Sequence, residues 1–114
     1  MESIFVTKFI NNALTESNGN ILRNLMEDCI QTEKPMIFDF TGINLFATVC
    51  FNASVGFIVF MHGPDLFSKY IKIVNLSDPG QDAYNHSYIN AVTYYKKREC
   101  EKALQDAASD ELFC

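Results

Sequence analysis

The chain has 114 residues, of which 48% are hydrophobic and 20% are charged, and its formal net charge is −5. This length suits one domain, and the composition is that of a globular protein rather than a disordered one. A net negative charge without a dense basic patch disfavours nucleic acid and anionic membranes as electrostatically bound partners.

The four cysteines and two histidines do not form a metal-binding pattern. Structural zinc needs ligand pairs roughly two to four residues apart, and the cysteines stand at positions 29, 50, 100 and 114. The sequence therefore predicts no metal and no cofactor. Cys29 and Cys50 fall within apolar segments, which favours reduced, mostly buried thiols in a cytoplasmic protein. The start of the chain lacks a basic region and a small-residue cleavage site, so we expect no secretory signal.

The N-terminal half predicts a strand, a helix and a second strand. Ile4–Ile10 is short and rich in β-branched and aromatic residues, as strands are, and a polar loop follows it. Apolar residues then recur at helical spacing, which predicts a helix from Ile21 with Asn20 or Ser17 as its N-cap. The nearly continuous apolar run over 35–43 predicts a strand that is buried on both faces.

The C-terminal half predicts a helix, a strand and a further helix. Residues 52–61 are apolar and include small side chains, which predicts a helix buried against the sheet; a short helical turn over 66–70 follows. Ile71–Leu76 has the composition of a strand. After it, Asp78 is predicted to cap a long helix and Gln81 to complete its capping box.

Strands that alternate with helices indicate parallel pairing through right-handed crossovers. We therefore expect a small, layered α/β domain with a mostly parallel or mixed sheet and helices packed on it. The predicted organisation is one domain over residues 1–97, followed by a polar helical extension or tail over 98–114.

The segment Ile37-Phe-Asp-Phe-Thr-Gly-Ile43 carries a resemblance to a known family. Its strand ends in Asp-aromatic-x-Gly-Ile, and the next helix opens with Asn and carries Gly four residues later. Together with a later strand and a helix bearing paired tyrosines, this pattern resembles the bacterial STAS-like domain of unknown function family, over about residues 4–97. The matching positions are Asp39, Phe40, Gly42, Ile43, Asn52, Gly56, Tyr94 and Tyr95.

The resemblance implies a STAS-like fold related to that of the anti-sigma-factor antagonists. It also implies a non-catalytic regulatory role, in which the domain docks onto a partner protein such as a histidine-kinase-type ATPase. In those antagonists a serine after the second strand is phosphorylated at a helix N-terminus, where backbone N–H groups and the helix dipole favour the phosphate. This chain departs from that motif, because Val49 stands at the acceptor position and cannot be phosphorylated.

The implied partner-binding surface comprises Thr48, Val49, Cys50 and Asn52. Thr48 carries a hydroxyl and is a candidate phosphoacceptor, although an ordinary helix cap is the favoured role. Cys50 would be either a redox-sensitive thiol near a helix N-terminus or a buried, inert one, and its apolar setting favours the second.

A second class of function is a small enzyme or ligand-binding domain that uses Asp39. This residue ends a predicted central strand, where α/β enzymes place chemistry. A carboxylate that accepts a hydrogen bond from a neighbouring loop N–H group is the simpler interpretation. His62 and His86 lie near predicted helix ends, where we expect them to be exposed.

A third alternative is a small membrane protein with one span in residues 40–64, which contain no charged residue and exceed the roughly 20 residues that a span needs. Asn44 and Asn52 within this segment, and the turn expected at Gly42, argue against it. The oligomeric state is not predicted, and self-association through an exposed sheet edge is left open.

Overall fold

The structure, a computed structural model, describes residues 2–106. Three short parallel strands form one sheet: β1 (Glu2–Phe5), β2 (Met36–Asp39) and β3 (Ile71–Val74). The strand order is β1-β2-β3, so β2 is central and the other two lie at the edges. The predicted α/β class is confirmed. The strands are shorter than predicted, and Val6–Lys8 already forms a single 3-10 turn.

The helices lie between and after the strands. One of them, Thr48–His62, contains a π-helical turn, and we call it the bulged helix. It consists of three consecutive parts: α2 (Thr48–Phe51), the π turn (Asn52–Gly56) and α3 (Phe57–His62). The remaining helices are α1 (Glu16–Gln31), α4 (Pro64–Tyr70) and α5 (Asp78–Asp106).

Helix α1 begins at Glu16, so the predicted start at Ile21 is wrong. Thr15 is its N-cap, and the Thr15 hydroxyl oxygen accepts a hydrogen bond from the Asn18 N–H group at 3.1 Å. The first turn is polar and contains Gly19, which is why hydrophobic periodicity missed it. Gly19 is buried against the bulged helix, where a Cβ would lie 2.7 Å from the Cβ of Ala53.

The predicted cap of α5 is displaced by one residue. Ser77 precedes the helix, and its hydroxyl accepts a hydrogen bond from the Gly80 N–H group at 3.4 Å. The side chain of Gln81 donates to Asn85 at 2.9 Å and does not complete a capping box with Asp78. Helix α5 continues without a break to Asp106, and residues 107–114 lie outside the described part. The division of the chain at residue 97 stays a prediction.

The register of the strands separates the two faces of the sheet. Residues paired across parallel strands point to the same side, so Ile4, Phe38 and Ile73 share the face that meets the helices. The other face carries Phe5, Asp39 and Val74 in one row and Ser3, Ile37 and Lys72 in the next. The core between sheet and helices is rich in aromatic and aliphatic side chains, and its largest fully buried members are Phe38, Phe40, Phe51, Leu22, Met26 and Ile58.

Within residues 2–106, no single helix combines the length and hydropathy needed to cross a membrane. The bulged helix and α4 pass that test only as a pair, and the two are bent by 116° relative to each other. The segment 40–64, proposed above as an alternative span, is not one helix. It consists of a loop up to Ala47, the bulged helix, and a break at Gly63, where φ is +92°.

Candidate partner-binding surface

Asp39 stabilises the loop that follows β2 through hydrogen bonds. Its Oδ1 atom accepts hydrogen bonds from the Thr41 N–H group at 2.9 Å, the Thr41 hydroxyl at 2.6 Å and the Asn75 amide at 3.0 Å. These bonds, those from Thr41 first, lower the pKa of the Asp39 carboxyl group. The expected hydrogen bond to a neighbouring loop N–H group is confirmed. Asp39 also links this loop to the one after β3, which the sequence did not indicate.

The loop before the bulged helix is held by backbone pairing with a distant segment. The Ala13 N–H group donates to the Leu45 carbonyl at 2.8 Å, and the Ala47 N–H group donates to the Ala13 carbonyl at 2.7 Å. These two bonds form an isolated parallel bridge between Ala13 and Phe46. The loop that leads into the bulged helix is therefore fixed at both ends, by Asp39 at the start of the loop and by Ala13 at the end of the loop.

Thr48 is the first residue of the bulged helix, and Ala47 is the N-cap, without a side-chain capping bond. The predicted role of Thr48 as a cap is therefore wrong. Its side chain is half-buried, and its carbonyl oxygen accepts a hydrogen bond from the Ser87 hydroxyl at 3.2 Å. Whether Thr48 is phosphorylated stays a prediction.

Two large apolar side chains are exposed where the loop meets the helix. Leu45 is 58% exposed and Val49 is 45% exposed, and Leu14 is exposed beside the Ala13 bridge. The sequence singled out Val49 and missed the two leucines. Leu45 lies in a run of apolar residues that resembles core, and only its exposure in the folded chain shows that this leucine belongs to the surface.

Cys50 does not belong to the surface. Its side chain is 0% exposed, so it offers nothing to a docking partner and its predicted place in the partner-binding set is withdrawn. Burial raises the pKa of its thiol from 9.0 to about 11, which keeps the thiol protonated at neutral pH. The predicted burial of Cys50 is confirmed, and the raised pKa of its thiol favours the inert alternative over the redox-sensitive one. Cys29 is also a free, buried thiol with a pKa raised mainly by burial.

Asn52 is exposed and opens the π turn. Its Oδ1 atom accepts a hydrogen bond at 2.7 Å from the hydroxyl of Ser87, which is fully buried on α5. A second buried hydroxyl, that of Ser54, donates to the Cys50 carbonyl at 2.9 Å inside the same turn. Single π turns are frequent at functional sites because they re-aim side chains within a helix. Here Asn52 is exposed to solvent, while the Oδ1 atom of its amide is hydrogen-bonded to Ser87 on α5.

A groove of about 410 Å³ separates the bulged helix from α5 next to Asn52. Gly56 and Ala91 are buried along it, and Phe60 and Tyr94 also line it. The guanidinium of Arg98 lies over the Phe60 ring at 4.3 Å from the ring centroid. The groove next to Asn52 is thus partly aromatic, and a cation lies over one of its rings.

The two histidines have different surroundings. His62 is half-buried, and its Nε2 atom pairs with the Glu27 carboxylate on α1 at 2.8 Å, so the expectation that it is exposed is wrong. His86 is exposed as expected, and it lies on a shallow depression that Thr48 and Phe46 also line.

A three-stranded parallel sheet with packed helices, and a fixed loop leading into a helix after the central strand, define a small α/β domain. Residues 18–81 match the model of the family described as STAS-like domain of unknown function (DUF4325). The chain belongs to this family, and the predicted resemblance is confirmed. The matched segment runs from the first turn of α1 to the first turn of α5 and includes the loop and the bulged helix. Neither the curated proteins nor the solved structures include a significant match.

Proposed function

We propose that this chain is a non-catalytic regulatory domain that binds a partner protein through a docking surface. The docking surface is defined by Leu14, Leu45, Thr48, Val49 and Asn52. The observation that supports it most strongly is the exposure of Leu45 and Val49 on a backbone that is already fixed by hydrogen bonds.

Such a surface is suited to binding for two physical reasons. A fully buried leucine or valine side chain contributes roughly 1.5–3 kcal/mol, so covering Leu45 and Val49 gives a partner a substantial apolar contact. The loop between Asp39 and Thr48 is ordered before binding, which reduces the conformational entropy lost on association. Exposed apolar side chains on an ordered segment are therefore candidates for binding hot spots.

The partner that fits this surface presents a mainly apolar patch with a hydrogen-bonding group for Asn52. The segment between Asp39 and Asp65 brings no charged residue to the contact, and Asp82 of α5 lines the depression beside Thr48. The family resemblance favours a histidine-kinase-type ATPase of a bacterial cytoplasm as this partner.

A phosphate on Thr48 would regulate such a contact. Thr48 opens the bulged helix, where a negative charge is favoured by the helix dipole. The same charge would have to be desolvated when an apolar partner covers Leu45 and Val49, which opposes docking. The proposed switch therefore releases the partner without unfolding the helix.

The experiment is affinity capture with matched variants. C-terminally tagged chain is expressed in the cells of origin, and captured proteins are identified by mass spectrometry for the unchanged chain, Val49→Asp and Ile89→Asp. Ile89 is 62% exposed on α5, outside the docking surface, so its variant introduces the same charge on an exposed β-branched residue elsewhere. Circular dichroism verifies that all three proteins are folded.

A near-stoichiometric protein that is retained by Ile89→Asp and lost from Val49→Asp is the expected result. Equal retention by both variants would remove the docking surface from consideration. Thr48→Asp, which imitates the phosphate, is expected to weaken the same interaction. An unchanged interaction in this variant would refute the phosphorylation switch but not the docking surface.

A further inference from the structure

We infer that the free edge of β1 is a self-association surface on which a second copy of this chain adds its own β1 in antiparallel orientation. The product is a symmetric dimer with one continuous six-stranded sheet. This inference concerns a different surface from the docking surface and does not rest on the proposed function.

The two edges of the sheet differ in their protection. The β3 edge carries the exposed Lys72, and α4 leads directly into that strand. A lysine on an edge strand discourages pairing with another chain. The β1 edge has no charge between Glu2 and Lys8, and Phe5 is 48% exposed. An unprotected edge of this kind offers unpaired backbone N–H and C=O groups to a further strand.

An apolar cleft opens beside the same edge. It has a volume of about 200 Å³ and lies between the sheet and α1. Its lining is mainly apolar (Ile4, Phe9, Leu25, Cys29, Met36 and Phe38) and also includes Asp28, Thr32 and Lys34. Phe9 is 45% exposed at its border. A strand added to β1 continues the sheet over this cleft, so its core-facing side chains cover apolar surface that is otherwise accessible to water.

Symmetry and the pleat restrict how two copies of β1 can pair. Directly opposed residues must lie on the same face of the sheet, so the two-fold axis passes either between the two Ser3 residues or between the two Ile4 residues. The first choice sets Glu2 against Ile4 within the strand, whereas the second sets Glu2 against Val6, where the strand has already ended. The second also sets Ile4 against Ile4 and joins the two clefts, and we therefore assign this register.

The charges around β1 are self-complementary in this orientation. Glu2 begins the strand and Lys8 ends the turn that follows it. In the assigned register each Glu2 lies opposite Val6 of the second copy, which begins the turn that ends at Lys8, so the two opposite charges lie at the same end of the paired strands. A parallel arrangement would place like charges together. This complementarity favours a second copy of the chain over an unrelated strand.

The test is a charge exchange measured by sedimentation velocity over a range of micromolar concentrations, with any tag at the C-terminus. The unchanged chain is expected to dimerise as its concentration rises. Glu2→Lys and Lys8→Glu each create two like-charge contacts per dimer, and each is expected to weaken dimerisation about tenfold, which corresponds to about 1.4 kcal/mol shared between the two contacts. Lys72→Glu, on the opposite edge, serves as the matched control and is expected to leave the dimer unchanged.

The decisive sample is an equimolar mixture of Glu2→Lys and Lys8→Glu. In a mixed dimer both contacts again join opposite charges, so dimers are expected to return to the level of the unchanged chain. A monomer at every concentration would overturn the inference. A dimer whose affinity is unchanged in Glu2→Lys and Lys8→Glu, or a dimer that is lost in Lys72→Glu, would also overturn the inference.

Discussion

At the scale of single residues, two titratable side chains connect parts of the chain that are distant in sequence. Asp39 joins the loops after β2 and β3 through one carboxylate oxygen. Cys50 lies where the bulged helix meets the start of α1: its backbone carbonyl faces Gly19, and its side chain is fully buried. Both residues lie next to the docking surface without being part of it, and both affect how stability changes with pH.

Removing the charge of Asp39 is expected to destabilise the domain in a pH-dependent manner. The folded pKa is lowered, so the stability that the carboxylate contributes is present above its unfolded pKa of about 3.9. It is lost as the pH falls through the folded value. The free energies of unfolding of the unchanged chain and Asp39→Asn, measured in urea, should therefore differ at pH 7, begin to converge below about pH 4 and coincide only below the folded pKa. Asp65→Asn is the control, and an equal loss in that variant would contradict the assignment.

For Cys50 we expect the opposite pH dependence of the free energy of unfolding. Its folded pKa is raised to about 11, so the folded state favours the neutral thiol. The stability associated with it is present below pH 9, the ordinary pKa, and is lost as the pH rises towards 11. Cys50→Ala should cost about 1 kcal/mol at neutral pH, like the loss of one buried methyl group. The unfolding free energy of this variant should fall less steeply between pH 9 and 11; parallel curves would refute the prediction.

At the scale of elements, the contact between α1 and the bulged helix is set by a glycine. Gly19 lies in the first turn of α1, directly against the backbone of Cys50 and the Cβ of Ala53. Gly56 lies in the π turn, where an added Cβ would meet Phe51, Ser87 and Ala91 at distances of 3.5 to 4.0 Å. The first position has no room for a methyl group, whereas the second does.

This difference gives opposite expectations for two identical substitutions. Gly19→Ala should destabilise the domain by about 1–3 kcal/mol, because overpacking against a backbone atom outweighs the gain in helix propensity. Gly56→Ala should be neutral or stabilise by up to about 1 kcal/mol. Thermal and urea unfolding of the two variants provide the comparison. A Gly19→Ala protein as stable as Gly56→Ala would mean that the two helices are farther apart than described.

At the scale of the whole molecule, the C-terminal half of α5 contributes to the packed domain. Arg98 covers Phe60 at 4.3 Å and approaches the Tyr95 ring at 5.4 Å. The boundary predicted at residue 97 would remove this contact. Since a cation over an aromatic ring contributes roughly 0.5–1 kcal/mol, the stable unit is expected to extend past Arg98.

Truncation tests this expectation. A chain that ends at residue 97 should fold but be less stable than one that ends at residue 104, by about 1 kcal/mol. Arg98→Ala in the full chain should account for most of the difference, whereas Lys97→Ala, at the exposed neighbouring position, should not. Equal urea midpoints for the two truncated chains would support the boundary at residue 97 instead.

The parts of the fold that depend on local patterns could be predicted from the sequence. The parallel pairing, the central position of β2 and the buried Cys50 follow from apolar runs and from the alternation of strands with helices. The features that escaped prediction depend on distant residues. The exposure of Leu45 depends on its pairing with Ala13, and the π turn at Asn52 is held by Ser87, which lies on α5.

The starts of the helices escaped prediction for a different reason. Thr15 begins a polar turn that contains Gly19, and hydrophobic periodicity carries no information there. Ser77 and Asp78 are both good capping residues, and only the geometry distinguishes them. On the docking surface, the family pattern located Thr48, Val49 and Asn52, but it could not separate exposed residues from the buried Cys50.

The docking surface is tested most directly by the ¹H–¹⁵N correlation spectrum of the labelled chain, recorded with and without the partner recovered by capture. The account predicts that the signals of Leu14, Leu45, Thr48, Val49 and Asn52 shift or broaden, while that of Ile89 does not. Changes confined to β1 or to the C-terminal half of α5, with the loop before Thr48 unaffected, would contradict it.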